Sequence, residues 1–162
     1  MEFKYHIVNL KKKFPLQISR GIHDKSQNLF IEFIKDGITA WGECAPGKTE
    51  GANSAQEVEK HLKRFIDSNI ENLSIYEVHQ RAKDLNIPAC AIAGLDIALW
   101  DWKAKKADMS LQELLGLPTT NVPTSLTVGI NPPDIVKERV ELILKDSQVK
   151  ALKIKLGSNK GI

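Results

Sequence analysis

The order of predicted elements in the last forty or so residues limits what this chain can fold into. A β-rich run at 124–130 is followed by a helical segment opened by Pro132 and Pro133, and then by an apolar run at 149–156. Strands that alternate with helices pair in parallel. An eight-unit (β/α) barrel needs about 250 residues, so residues 123–162 predict only its first two strands and first helix. We expect this barrel domain to be incomplete.

The first part of the chain predicts an antiparallel sheet. Phe3, Tyr5 and Ile7 alternate with other residues, as in a strand with one buried face. Runs at 29–34 and 38–41 flank Asp36 and Gly37, a favoured pair for a two-residue hairpin turn. Residues 21–27 are polar and predict a loop.

Helices are predicted after this sheet. A serine followed three residues later by a glutamate is the spacing of a capping box, in which each residue satisfies a free backbone amide of the other. Pro88 opens a longer helix that continues to about residue 106. The capping pairs are Ser54 with Glu57, Ser74 with Glu77, and Ser110 with Glu113. Residues 1–122 therefore predict one α+β domain, an antiparallel sheet followed by helices.

Composition excludes several classes of function. The chain is 42% hydrophobic and 27% charged, with a formal net charge of +3, which is ordinary for a globular domain. Its basic residues do not interleave with aromatic ones, so we expect no nucleic-acid partner. The N-terminus has no apolar signal core and no run is long enough to span a membrane. With two cysteines far apart, a cytoplasmic protein without a membrane partner is expected.

Two lysines mark the second apolar run. Side chains alternate across a strand, so Lys153 and Lys155 share one face while Leu152, Ile154 and Leu156 share the other. Repulsion and desolvation inside a closed barrel would disfavour two charged amines, and a neutral lysine is a competent base. The alternative is that these lysines only protect an exposed sheet edge from aggregation.

Four segments, in this order along the chain, resemble the enolase superfamily, within it the muconate-lactonizing-enzyme-like group, and within that group the dipeptide epimerases such as L-Ala-D/L-Glu epimerase. They are the hairpin end at 41–46, the helix at 91–105, the segment at 111–117, and the lysine strand at 152–155. The resemblance implies that residues 1–122 form a capping domain over the mouth of a (β/α) barrel. It also implies an isomerase that exchanges the proton α to a carboxylate.

The resemblance implies a functional role for each of four residues. Lys155 would be the acid/base that exchanges the proton. Lys153 would help to lower the pKa of Lys155 and to stabilise the enolate. Thr127, near the end of the first barrel strand, would lie beside the substrate. Arg20 precedes the polar segment 21–27, which corresponds to a mobile specificity loop, and would pair with a substrate carboxylate.

The family uses Mg²⁺, held by acidic residues on later barrel strands, and a second lysine base. No residue of this chain matches those positions, so we expect no metal bound by this chain and no activity of the chain in isolation. In the complete enzyme the resemblance implies Mg²⁺ and a small-molecule carboxylate substrate, a dipeptide.

Three alternatives remain at this point. The chain could be a fragment of a muconate cycloisomerase or of an o-succinylbenzoate synthase, which share the lysine pattern. It could instead be a non-catalytic module whose only activity is association. In each case, uncovered barrel strands predict self-association.

Overall fold

The computed structural model describes residues 1–19, 21–120, 122–146 and 148–157. It confirms the predicted fold class, an antiparallel sheet and helices followed by a small parallel β/α segment. The elements are β1 Glu2–Ile18, β2 Gly21–Lys35, β3 Ile38–Cys44, a 3-10 turn at Lys48–Glu50, α1 Ala55–Ile66, α2 Ile75–Asp84, α3 Ala89–Lys106, α4 Leu111–Leu114, β4 Ser125–Val128, α5 Pro133–Asp146 and β5 Ala151–Ile154.

The chain forms two compact units. The first contains Met1–Leu10 and Ser26–Thr119, and the second contains Lys11–Lys25 and Thr120–Ile162. The far end of the β1–β2 pair therefore groups with β4, α5 and β5. We call residues 11–19 and 21–25 the arm. The predicted domain boundary between residues 122 and 123 stays a prediction.

The sheet has the strand order β1-β2-β3. β2 and β3 pair antiparallel, with Lys35 opposite Ile38. Asp36 and Gly37 form the connecting turn with φ values of 55° and 75°. Two positive φ values are what the favoured two-residue hairpin turn requires, and this confirms the predicted hairpin.

The prediction of a loop at residues 21–27 was wrong, because β2 begins at Gly21. Its first five residues are all exposed, so the segment has no buried face and no alternation of apolar and polar residues. Strand structure here comes from pairing with β1, a non-local interaction that the local sequence does not reveal.

The core of the first unit lies between the sheet and the helices. α3 packs on β3, and at their crossing Gly42 and Gly94 bring the two backbones together, so that a Cβ on Gly42 would collide with the Gly94 carbonyl oxygen. α1 and α2 pack their apolar stripes into the same core. Its largest fully buried side chains are Phe33, Phe65, Leu29, Ile31, Leu62 and Leu95.

The capping pairs behave in two ways. Ser74 with Glu77 and Ser110 with Glu113 form complete capping boxes, as predicted. Ser54 caps α1 by accepting from the backbone N–H of Glu57. The Glu57 carboxylate, however, accepts from the backbone N–H of Asn53 at 2.8 Å, one residue earlier than a capping box requires.

The start of α2 should be sensitive to acid. Hydrogen bonds from the Ser74 hydroxyl and the Ser74 backbone N–H hold the pKa of Glu77 below its ordinary value of 4.5. A lowered carboxylate pKa stabilises the fold above the ordinary value and loses that effect as the pH falls through the lowered one. We expect amide protection in the first turn of α2 to decrease over that range. Hydrogen exchange, corrected for intrinsic rates, measures it.

A Glu77→Gln variant should lose this pH dependence, since its side chain does not titrate. Glu71→Gln changes an exposed glutamate outside the helix and should leave the dependence as in the parent. Equal acid sensitivity of Glu77→Gln and the parent would contradict the assignment.

The second unit contains a two-stranded parallel sheet of β4 and β5, connected by α5. Both strands are shorter than predicted, because the two strands pair over only four residues each. Val128 is buried, and it faces away from Thr127 by strand alternation. Within the described residues no helix is both long and apolar enough to cross a membrane.

Candidate functional site

Parallel pairing places three of the four predicted site residues in one unit. Thr127 on β4 is the register partner of Lys153 on β5. In-register neighbours project to the same face of a sheet, so these two side chains are adjacent. The backbone N–H of Lys155 donates to the carbonyl of Val128 at 2.9 Å, which continues the pairing beyond the end of β5. Lys155 follows Lys153 by two residues and so shares its face.

The two faces of this small sheet differ in exposure. Lys153 is exposed and Lys155 is half-buried. On the opposite face Leu152 is half-buried, while Ile154 is 46% exposed. Leu156, beyond the strand end, is 76% exposed. An apolar strand face uncovered to this degree is unusual and marks a surface that another element would cover.

Arg20, the fourth predicted site residue, lies outside the described residues. Its neighbours belong to the arm, which is in the same compact unit as Thr127 and the two lysines.

Three residues that connect the arm to β4 were not predicted from the sequence. Gly129 and Ile130 follow β4, and Arg139 lies on α5. All three contact the arm segment 14–17 or approach it closely. Glycine next to a strand can mark a place where another backbone approaches closely, and Gly129 is the sequence signal for this contact. Nothing local indicates which distant segment approaches.

The described residues do not provide a magnesium site. No three or more histidine, cysteine, aspartate or glutamate side chains in the described ranges lie together in positions suited to hold a metal ion. Mg²⁺ requires oxygen ligands arranged around a near-octahedral ion. The described residues therefore do not fit this cofactor.

The cysteines do not supply a nucleophile. Both Cys44 and Cys90 are free and buried. Burial raises the pKa of the Cys44 thiol to about 12 and raises that of Cys90 as well. A thiol is a good nucleophile only as the thiolate, so both are inert core residues near neutral pH. Lysine is the candidate for chemistry in this chain.

An antiparallel sheet with helices, followed by a parallel β/α segment with Lys153 on β5 and Lys155 just beyond its end, defines a class: a capping domain with the start of a (β/α) barrel. Residues 2–116 match the family described as mandelate racemase / muconate lactonizing enzyme, N-terminal domain. The chain belongs to this family, which confirms the resemblance found in the sequence.

Curated relatives match along the whole chain. A hydrophobic dipeptide epimerase of Flavobacteria bacterium (strain MS024-2A) is 52% identical over 162 residues, which is 100% of this chain and 46% of the relative. A hydrophobic dipeptide epimerase of Roseobacter litoralis is 49% identical over the same length and again matches over 46% of its own length. The chain thus spans about half the length of the curated relatives it matches.

Solved structures share the fold. A dipeptide epimerase from Enterococcus faecalis V583, complexed with Mg and L-Leu-L-Tyr, has a TM-score of 0.84 at 24% identity and covers 96% of this chain and 45% of its own. A dipeptide epimerase from Cytophaga hutchinsonii, complexed with Mg and D-Ala-L-Val, has a TM-score of 0.83 at 24% identity, and the match covers 98% of this chain and 44% of that protein's chain. At these identities the likeness establishes the fold.

Proposed function

We propose that this chain is the N-terminal part of a Mg²⁺-dependent dipeptide epimerase, with hydrophobic dipeptides as its substrate class. The observation that carries the proposal is the register of β4 and β5, which joins Thr127 and Lys153 on one face and places Lys155 directly after them. The 52% and 49% identities to two hydrophobic dipeptide epimerases support the choice of substrate.

Lys155 is the proposed acid/base. As the base, its amine takes the proton from the carbon α to the substrate carboxylate, and the electron pair of the broken C–H bond moves into the enolate. To invert the configuration, a second acid/base group must return a proton to the opposite side of that carbon; the family resemblance implies a lysine for this step, and no residue of this chain matches it. Lys153, as a nearby cation, stabilises the enolate charge. Thr127 and Arg20 would contact the substrate, Arg20 through a substrate carboxylate.

Mg²⁺ belongs to the proposal for the complete enzyme only. When bound, such an ion supplies stabilisation of negative charge on the substrate carboxylate. Its ligands would come from residues beyond those described, and we propose that this chain alone binds no catalytic Mg²⁺. We therefore expect the 162-residue chain to be inactive by itself.

A second candidate is an o-succinylbenzoate synthase. The enzyme of Bacillus subtilis with that name is 31% identical over 94% of this chain and 42% of its own length. A muconate lactonizing enzyme from Mucobacterium smegmatis shares the fold at 19% identity, with a TM-score of 0.84. Both identities are far below 52%, so the epimerase is preferred.

The chain by itself could also act through association. Exposed Ile154 and Leu156, together with the open edges of the two-stranded sheet, would favour self-association. We propose a cytoplasmic location with neither nucleic acid nor membrane as partner, supported by the two free cysteines. The solution mass of the purified chain tests association.

A chimaera tests the proposed activity. Residues 1–162 would be joined to the part of the Flavobacteria relative that follows its matched segment. We expect the chimaera with Mg²⁺ to exchange the α-proton of hydrophobic dipeptides in deuterated water, followed by proton NMR. The 162-residue chain alone should give no exchange above the buffer rate.

The intact relative is the positive control, assayed in parallel. A chimaera without activity, beside an active relative, would contradict the proposal. Exchange by the 162-residue chain alone would contradict the proposal that the active site needs residues from both this chain and the joined part of the relative. Formation of o-succinylbenzoate without dipeptide exchange would favour the second candidate.

A further inference from the structure

The arm is held at the carboxyl end of β4 by backbone contacts. The backbone N–H of Ile130 donates to the carbonyl of Gln17 at 2.9 Å. At Gly129 an added Cβ would lie 2.8 Å from the Gln17 nitrogen and 3.0 Å from its carbonyl oxygen. These are backbone atoms that cannot rotate away, so the approach requires glycine.

Arg139 holds the same segment from α5. Its Nη1 donates to the carbonyl of Pro15 at 3.3 Å. Its guanidinium carbon lies 5.5 Å from the centre of the Phe14 ring, within range of a cation–π interaction. One side chain therefore contacts the backbone and an aromatic ring of two consecutive arm residues.

Beside these contacts lies a cavity that has one candidate site residue, Thr127, in its wall. A cavity of about 170 Å³ lies between the arm, β4 and α5, and Thr127 contributes to its wall. Its apolar lining includes Phe14, Leu16 and Val128. The distance between the arm and β4 sets the width of this cavity, and so the space beside Thr127.

We propose that Gly129, Ile130 and Arg139 form a clamp that positions the arm beside Thr127, and that Arg139 is a positioning residue for substrate binding. The clamp holds the arm through one hydrogen bond from each of Ile130 and Arg139, with Gly129 permitting the close approach. Its effect on substrate binding rests on the proposed function, whereas its effect on the arm does not.

Hydrogen exchange on the 162-residue chain tests the clamp directly. We expect Arg139→Leu to increase amide exchange at arm residues 16–18 about tenfold, since it removes one hydrogen bond and one cation–π contact. Arg139→Lys retains the charge but not the planar guanidinium, so its exchange should be intermediate. Gly129→Ala should increase exchange at least as much as Arg139→Leu, and it should also expose the Ile130 amide.

Two controls separate the clamp from general loss of structure. Lys145→Leu removes an exposed cation from the same helix and should leave arm exchange within twofold of the parent. Tryptophan fluorescence of every variant should match the parent, because Trp41, Trp100 and Trp102 all belong to the first unit. In the double variant Gly129→Ala/Arg139→Leu the two effects should be less than additive, because each releases the same arm. Unchanged arm exchange in Arg139→Leu, or full additivity, would overturn the clamp.

The chimaera gives the readout that a purely structural role would not. We expect Arg139→Leu to raise KM for hydrophobic dipeptides about threefold or more with kcat within twofold, because arm contacts bind substrate and transition state alike. The KM of Arg139→Lys should lie between those of the parent and Arg139→Leu. A fall in kcat with KM unchanged would overturn the positioning role. An inactive parent chimaera would count against the proposed function alone, since hydrogen exchange still decides the clamp.

Discussion

Alanine in place of Lys155 is expected to slow α-proton exchange by the chimaera about 10³-fold, the typical contribution of a positioned general base. Lys155 is the half-buried member of the lysine pair, and its backbone is fixed by the hydrogen bond to Val128 at 2.9 Å. Replacing it removes the group that accepts the proton while leaving the strand pairing in place. The measurement is loss of the α-proton signal in deuterated water, with KM determined in the same assay.

Two variants show whether Lys155 contributes to the exchange rate by transferring a proton or only through its positive charge. Lys155→Arg retains a cation but a guanidinium does not deprotonate near neutral pH, so its exchange should be as slow as that of Lys155→Ala. Lys150→Ala removes an exposed lysine just before β5 and should leave the rate within twofold of the parent. Recovery of exchange by arginine would assign Lys155 an electrostatic role and contradict the proposed base.

The local parts of the site could be predicted from the sequence. Alternation along a strand depends only on neighbouring residues, so the shared face of Lys153 and Lys155 follows from their spacing. Pairing of Thr127 with Lys153 depends on the register of two strands separated by a helix. The resemblance supplied that relation, which spacing alone did not.

The clamp could not be predicted because its partners are more than a hundred residues apart along the chain. Arg139 and Pro15 meet through a single hydrogen bond between segments with no shared pattern. The same limit explains the error at residues 21–27, where strand structure depends on pairing with β1. Helix starts were predicted well because a capping box spans only four residues. At α1 the start was predicted correctly and Ser54 is the N-cap, but the reciprocal bond differs, because the Glu57 carboxylate accepts from the backbone N–H of Asn53 instead of Ser54.

The largest expected effect on stability comes from Gly42, where β3 meets α3. A Cβ there would collide with the Gly94 carbonyl oxygen and lie 3.0 Å from the backbone nitrogen of Ala98. The obstacle is helix backbone, so α3 must move away from the sheet and give up part of its buried contact. We expect Gly42→Ala to lower the free energy of unfolding by about 3 kcal/mol, at the upper end of the range for overpacked cores.

Urea unfolding followed by tryptophan fluorescence measures this loss, since the tryptophans lie on β3 and α3. Gly37→Asn is a matched control in the same hairpin, because an added Cβ meets no atom within 4 Å and asparagine tolerates positive φ. Because Gly37 has a φ of 75°, asparagine there carries some backbone strain, and the variant should lose about 1 kcal/mol of stability. Equal unfolding midpoints for the two variants would contradict the packing argument.

Gly94→Ala tests the same contact through the sign of its effect. Glycine in the interior of a helix is about 1 kcal/mol less favourable than alanine, so helix propensity alone predicts that this substitution stabilises α3. Packing predicts the reverse, because the new Cβ would collide with the Cys44 sulfur and lie 3.0 Å from the Glu43 carbonyl carbon. We expect net destabilisation of about 2 kcal/mol, partly relieved in a Gly94→Ala/Cys44→Ala double variant that removes the sulfur. A more stable Gly94→Ala variant would show that α3 can move off the sheet at little cost. It would also show that Gly42 and Gly94 do not fix the distance between α3 and the sheet.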